Sequence, residues 1–124
     1  MAAVKVAIIE DDQAISQMYS IKFQSEGFDV ETAENGKLGL ELCEKMRPDI
    51  ILLDLMMPEM TGDQMLTELR KTTWGANIKV VVLTNMGEQE IPESVKSQGV
   101  SAVILKADMT PRQVAELVKK TIDS

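Results

Sequence analysis

Ile50-Ile51-Leu52-Leu53-Asp54-Leu55-Met56-Met57-Pro58-Glu59-Met60-Thr61-Gly62 is the stretch that decides how this chain folds. Its four aliphatic residues lie between Arg47-Pro48-Asp49 and a Pro/Gly turn. An apolar run of that length between turn residues predicts a strand buried on both faces, as in a parallel sheet. Asp54 then stands at the C-terminal end of the strand, where open α/β sheets place their ligands. Three further apolar runs end the same way. Val4 to Ile9 is followed by Glu10 and Asp11, Val80 to Leu83 by Thr84, and Ala102 to Leu105 by Lys106. One sheet edge is therefore predicted to gather three carboxylates, a hydroxyl and an ammonium.

Strand-like and helix-like segments alternate along the whole chain, with no internal repeat, low-complexity tract or linker. Strands are predicted at 4–9, 28–32, 49–54, 78–84 and 101–106, and helices at 13–26, 35–46, 61–71, 89–98 and 110–122. Five βα units around one parallel sheet make an α/β, doubly wound architecture with helices on both faces. Right-handed crossovers leave few arrangements. Thr110-Pro111-Arg112-Gln113 carries an N-cap, a proline at the first helical position and a reciprocal Gln, and Thr61 with Gln64 repeats the outer pair. Asp12 is a candidate cap for the first helix. Ile15, Met18, Tyr19 and Phe23 are predicted to share its inward face, Lys22 to pack its stem along that stripe, Ile21 to be exposed, and Gly27 to end it. Phe28, Val30 and Thr32 alternate with Asp29 and Glu31, which suits a sheet edge with one wet face. The other four strands are expected to be central or covered.

The chain has 124 residues, which sets about one domain, expected to run over 1–124. With 13 basic and 20 acidic residues the net charge is −7, which argues against a nucleic-acid or anionic-membrane surface. No run reaches transmembrane length and the N-terminus lacks a signal peptide's pattern, so a cytoplasmic location is expected. Histidine is absent, which removes histidine acid/base chemistry, histidine metal ligands and any phosphohistidine on this chain. The lone Cys43 lies in an apolar helical pattern and reads as a buried, inert thiol.

Three acids held together raise one another's pKa or recruit a cation. Carboxylate oxygens suit Mg²⁺, with Mn²⁺ as the alternative. Lys106 adds a point charge able to grip a phosphoryl oxygen, and Thr84 a hydroxyl able to donate to another. A carboxylate can attack phosphorus to give an aspartyl phosphate, with metal and lysine neutralising the transferring group. On this chemistry Asp54 is the nucleophile, Asp11 and Asp54 are metal ligands, and Glu10 is the second acid. Taken singly, a strand-end acid pair is commonly a turn or cap, and a strand-end Thr or Lys is commonly structural or solvated. Four such features on four strands of one sheet point to a site.

In these residues the chain resembles the receiver domains of two-component response regulators. The resemblance covers the whole chain: Glu10-Asp11, Asp54, Pro58 and Gly62 in the following loop, Thr84 and Lys106. The gaps of 43, 30 and 22 residues from Asp11 to Asp54 to Thr84 to Lys106 follow the family's spacing. The resemblance implies a flavodoxin-like sheet of order 2-1-3-4-5 and a phosphoryl group accepted by Asp54 from a phosphohistidine on a histidine kinase or histidine phosphotransfer protein. It further implies Mg²⁺ bound by Glu10, Asp11, Asp54 and the Met56 backbone carbonyl. Thr84 would move inward on phosphorylation and remodel the face of the fourth helix, fifth strand and fifth helix. The chain departs from the family pattern at Val103, where an aromatic switch residue is usual, at Ala107, where proline is common after the lysine, and at Asn85, where a small residue is usual. Met56 and Met86 occupy positions that often tune self-hydrolysis. The implied output is a downstream protein partner or an effector domain outside this chain, with the domain a monomer or weak dimer and at most a slow self-dephosphorylating catalyst.

Other readings fit less well. A haloacid-dehalogenase-type phosphatase needs an acid two residues after its nucleophile, and Met56 stands there. A flavodoxin needs a Ser/Thr/Gly phosphate loop after the first strand, where Glu10-Asp11-Asp12 would repel phosphate. The remaining alternative is an unphosphorylated receiver-like interaction module, against which Asp54, Thr84 and Lys106 argue.

Overall fold

The computed structural model describes residues 3–123, the side chain of Glu88 excepted. Five parallel strands alternate with five helices: β1 (Lys5–Ile9), α1 (Gln13–Ser25), β2 (Asp29–Ala33), α2 (Gly36–Met46), β3 (Ile50–Leu53), α3 (Gly62–Lys71), β4 (Lys79–Thr84), α4 (Glu93–Lys96), β5 (Ala102–Leu105) and α5 (Pro111–Asp123). The sheet order is β2-β1-β3-β4-β5, as the family resemblance implies. The three inner strands are continuous apolar runs because each face of the sheet carries its own core. Ala7, Ile9, Ile51, Leu53, Val80 and Val82 pack against Cys43, Met65, Leu66, Leu69 and Val95 of α2, α3 and α4. Val6, Ile8, Ile50, Leu52, Val81 and Leu83 point the other way, onto Tyr19 and Phe23 of α1 and Val114 and Val118 of α5.

The helix ends follow local chemistry. The Asp12 side chain accepts the Ile15 N–H at 3.1 Å, and Asn35 accepts that of Leu38 at 2.8 Å. Thr110 and Gln113 exchange backbone and side-chain bonds at 2.8 and 3.2 Å, completing the predicted capping box. Gly27 leaves α1 at φ +92°, a conformation glycine adopts without strain.

Four expectations need correction. The predicted helix 89–98 is instead a 3₁₀ turn at Glu88–Glu90 followed by the single turn of α4. Pro92 has no N–H to give and biases Ile91 away from helical backbone, so the two pieces cannot fuse. Met18 is 45% exposed, because the inward face of α1 is set by Ser16, Tyr19 and Phe23. Met18 lies about 100° around the helix from Tyr19. Thr32 is exposed although Val30, on the same side of the strand, is buried. It lines an open groove together with Gln13 and Ser16 of α1 and Leu38 of α2, which neither helix fills. Finally, β5 is an edge strand and Val103 on it is 40% exposed, since a one-turn α4 is too short to cover that face.

Candidate functional site

Register brings the site together. Ile9 pairs with Leu53 and Leu53 with Val82, so β1, β3 and β4 reach the same level at their C-terminal ends. Glu10 and Asp54 are the next residues on adjacent strands, and the Asp54 N–H bonds the Ile9 carbonyl at 3.0 Å. Thr84 ends β4 opposite Leu105, which places Lys106 one residue further on β5's side. Gly62 permits the crossing chain to sit close. A Cβ there would overlap the Asp54 carbonyl oxygen and lie 2.7 Å from Leu55 Cα.

Glu10 and Asp54 are each only 4% exposed, whereas Asp11 is exposed. One carboxylate oxygen from each of the three acids falls in a group whose members all lie within 4.8 Å of one another. Lys106 reaches over this group. Its Nζ is 2.5 Å from Glu10 Oε1 and 3.5 Å from Asp54 Oδ2. The remaining oxygens find backbone donors: Met56 N–H to Asp54 Oδ1 at 3.3 Å, and Asp12 N–H to Glu10 Oε2 at 3.2 Å. Thr84 is fully buried, and its hydroxyl oxygen accepts the Met86 N–H at 3.1 Å. Burial alone would lower the Lys106 pKa, but the hydrogen bond to Glu10 and the charge of Asp54 outweigh it and hold the ammonium above its ordinary value. Although exposed, Asp11 moves up from the usual carboxylate range, through slight local desolvation first and then the hydrogen bond and charge of Glu10. Three negative charges beside one ammonium remain under-compensated. An all-oxygen donor set of that sign fits a hard divalent cation.

Glu10, Asp11, Asp54, Thr84 and Lys106 therefore lie at one sheet edge, with different surroundings in the resting geometry. Lys106 is bonded to Glu10 more closely than to Asp54. Val103 lies apart from the acids, lining a cavity of about 550 Å³ with Met86, Ile91, Lys96, Leu105 and Asp108. Two supports went unread in the sequence. The Met56 N–H fixes one oxygen of Asp54. Asn35 ties the loop after β3 to α2 by donating to Glu59 Oε2 at 3.4 Å, next to the Gly36 N–H bond to the Met60 carbonyl at 3.1 Å. Backbone donors carry no side-chain signature, but Asn35-Gly36 before an apolar helix was a legible cap.

The geometry has counterparts. The chemotaxis protein CheY4 of Vibrio cholerae superposes with a TM-score of 0.89 at 28% identity, covering 97% of this chain and 99% of that one. A CheY-like receiver domain from Methanospirillum hungatei JF-1 gives 0.89 at 26% identity over 98% and 95%. In sequence, the chain is 39% identical over 84 residues to the DNA-binding dual master transcriptional regulator RpaA of Synechocystis sp., and 36% over 99 residues to the cell cycle response regulator CtrA of Brucella ovis. Those matches take in 68% and 80% of this chain but only 35% and 41% of the relatives, so the chain spans well under half of their length. The family model described as response regulator receiver domain matches residues 6–119. With that match over nearly its whole length, the chain belongs to the receiver domains of two-component response regulators, a family of phospho-accepting signalling switches.

Proposed function

We propose that Asp54 is the phosphoacceptor of this receiver domain, taking a phosphoryl group from a phosphohistidine on a histidine kinase or histidine phosphotransfer protein. The observation that carries the assignment is the surround of the Asp54 carboxylate. It is buried at a strand end, with Lys106 at 3.5 Å and the oxygens of Glu10 and Asp11 within 4.8 Å. In the transfer, an Asp54 oxygen forms a bond to phosphorus while the phosphorus–nitrogen bond breaks. The electron pair returns to the donor imidazole, which takes up a proton. The Met56 N–H orients the carboxylate. Lys106 swings its ammonium from Glu10 toward the incoming phosphoryl oxygens, and Thr84 gives up the Met86 N–H to donate its own proton there. Glu10, Asp11, Asp54 and the Met56 carbonyl would hold Mg²⁺, or Mn²⁺ in its place, which neutralises charge on the transferring group when bound.

The movement of Thr84 is read out at α4, β5 and α5, the neighbours of β4 on that side. Val103, with its exposed side chain, belongs to this surface and stands where a larger switch residue would turn. We assign the whole chain, 1–124, to one cytoplasmic receiver domain, a monomer or weak dimer that does not itself contact nucleic acid or membrane. The domain is a phosphoacceptor with no turnover activity beyond slow self-dephosphorylation. No helix among the described residues is long and apolar enough to cross a membrane. Output passes to a protein partner or to an effector domain. Incubation with a small phosphodonor and Mg²⁺ is expected to add one phosphoryl group to the intact mass, and Asp54→Asn to abolish the gain. A gain that survives the substitution would overturn the assignment, and no gain in either protein would favour the unphosphorylated interaction module.

A further inference from the structure

Met56 is the most exposed large apolar side chain among the described residues, at 61%. It belongs to neither core cluster, so packing does not account for a thioether at this place. Its own N–H holds Asp54 Oδ1 at 3.3 Å, which fixes its backbone against the buried carboxylate while the side chain stands in water. The neighbouring Met57 is buried and packs into the core with Met65. The two adjacent methionines therefore differ completely in access to solvent oxidants.

We infer that Met56 is a redox modification site that sets the lifetime of the phosphoryl group on Asp54, a proposal that rests on the phosphoacceptor reading above. The oxidant is a peroxide. The thioether sulfur donates an electron pair to one peroxide oxygen, the O–O bond breaks, and the sulfur becomes a sulfoxide. The other oxygen leaves as water once protons have been transferred. Sulfur is oxidised by two electrons and the peroxide reduced by two. The reaction turns a weak acceptor into a strong one on an exposed side chain two residues from Asp54, in a residue whose backbone N–H already holds that carboxylate. Water approaching the phosphorylated Asp54 then meets a group that can hold it by a hydrogen bond in place of flexible apolar bulk. Because Met56 contributes nothing to either core, its oxidation leaves the fold intact, whereas oxidation of Met57 or Met65 would insert a polar oxygen among packed apolar groups. Sulfoxides are reducible by methionine sulfoxide reductases, so the modification is reversible.

The test uses the full chain treated briefly with dilute hydrogen peroxide, with oxidation mapped by peptide mass. Decay of the phosphoryl group is then followed after removal of a small phosphodonor, in wild type, Met56→Leu and Met18→Leu. The expected result is oxidation of Met56 well ahead of Met57 and Met65, with decay roughly threefold or more faster after treatment. Met56→Leu should lose the response to peroxide, while Met18→Leu, which removes the exposed methionine of α1, should retain it. Unchanged decay of the oxidised wild type, an equal peroxide response in Met56→Leu, or oxidation of Met65 as fast as Met56 would overturn the proposal. If untreated wild type takes up no phosphoryl group at all, the phosphoacceptor reading fails and this proposal with it. The mapping and the untreated control keep the two failures apart.

Discussion

At the scale of the residue, the site works by holding charge that it does not fully compensate. Lys106 is largely buried and bonded to Glu10, so its removal leaves two buried carboxylates facing each other and exposed Asp11. It opens no core cavity, since the ammonium sits at a strand end. Lys106→Ala is expected to fold, with a stability loss of no more than about 2 kcal/mol in urea titration. It should fail to show the change in backbone amide spectra that phosphorylation is expected to produce in the wild type. A variant that unfolds, or one that switches fully, would contradict the role given to the amine. The thioethers of Met56 and Met86 offer no strong hydrogen bond to an attacking water. The double substitution Met56→Asn with Met86→Glu is expected to hasten phosphoryl loss about tenfold, the equivalent of about 1.4 kcal/mol off the barrier. Equal decay in the two proteins would place the control of water elsewhere.

At the scale of the element, the strands and four of the five helices were legible because their signals are local and redundant. Cap residues at Asp12, Thr61 and Thr110 and the turn residues between elements mark α1, α3 and α5, and the apolar helical pattern around Cys43 marks α2. The fourth helix was misread because Glu93, Val95 and Lys96 continue a plausible helical pattern back through Ile91, and Pro92 interrupts it without removing the apolar residues that anchor each piece. Met18 was misread because α1 is weakly amphipathic, and only the packed sheet decides that Ser16 rather than Met18 turns inward. At the site, the identities of Glu10, Asp11, Asp54, Thr84 and Lys106 could be read from strand ends. The pairing of Lys106 with Glu10 could not, because it depends on side-chain reach across three strands.

Two predictions belong to this scale. Gly62 opens α3 against the backbone of Asp54 and Leu55, where an added Cβ has no room and no flexible side chain to displace. Gly62→Ala should cost about 3 kcal/mol in urea titration and weaken phosphorylation, since the strain falls on the loop that carries Met56. A neutral substitution would mean that the loop shifts freely. The second concerns the tie between α1 and α5. Lys119 donates to Glu26 at 2.5 Å and, with Lys22 nearby, holds the Glu26 carboxyl below its usual range. A carboxylate with a depressed folded pKa adds stability that is complete above its unfolded value and lost as pH falls through the folded one. NMR titration should therefore place Glu26 below an ordinary glutamate in the wild type and return it toward that value in Lys119→Ala. An unchanged midpoint would show that the bond does not persist in solution.

At the scale of the whole molecule, one sheet separates two apolar layers, and the acid cluster sits on the end of the strands that belong to both. Trp74 packs against the layer of α2 and α3 and stacks under Arg47, whose guanidinium carbon is 5.0 Å from its ring. It reports on that layer alone, whereas Phe23 lies in the other. Phe23→Ala should lower stability by about 4 kcal/mol. The Trp74 fluorescence and far-ultraviolet transitions should still coincide, because the layers share every central strand. Separate midpoints would show that the faces unfold independently.

The proposed function rests on a single covalent event at Asp54, and that event would leave a direct chemical signature. Borohydride reduces an aspartyl phosphate to homoserine while leaving free carboxylates intact. Protein loaded with a small phosphodonor and Mg²⁺, reduced and then digested, should carry homoserine at position 54 and at no other aspartate. Homoserine at Asp11, at Asp12 or elsewhere, or its absence from position 54 in protein that has gained the phosphoryl mass, would contradict the assignment of Asp54 as the acceptor.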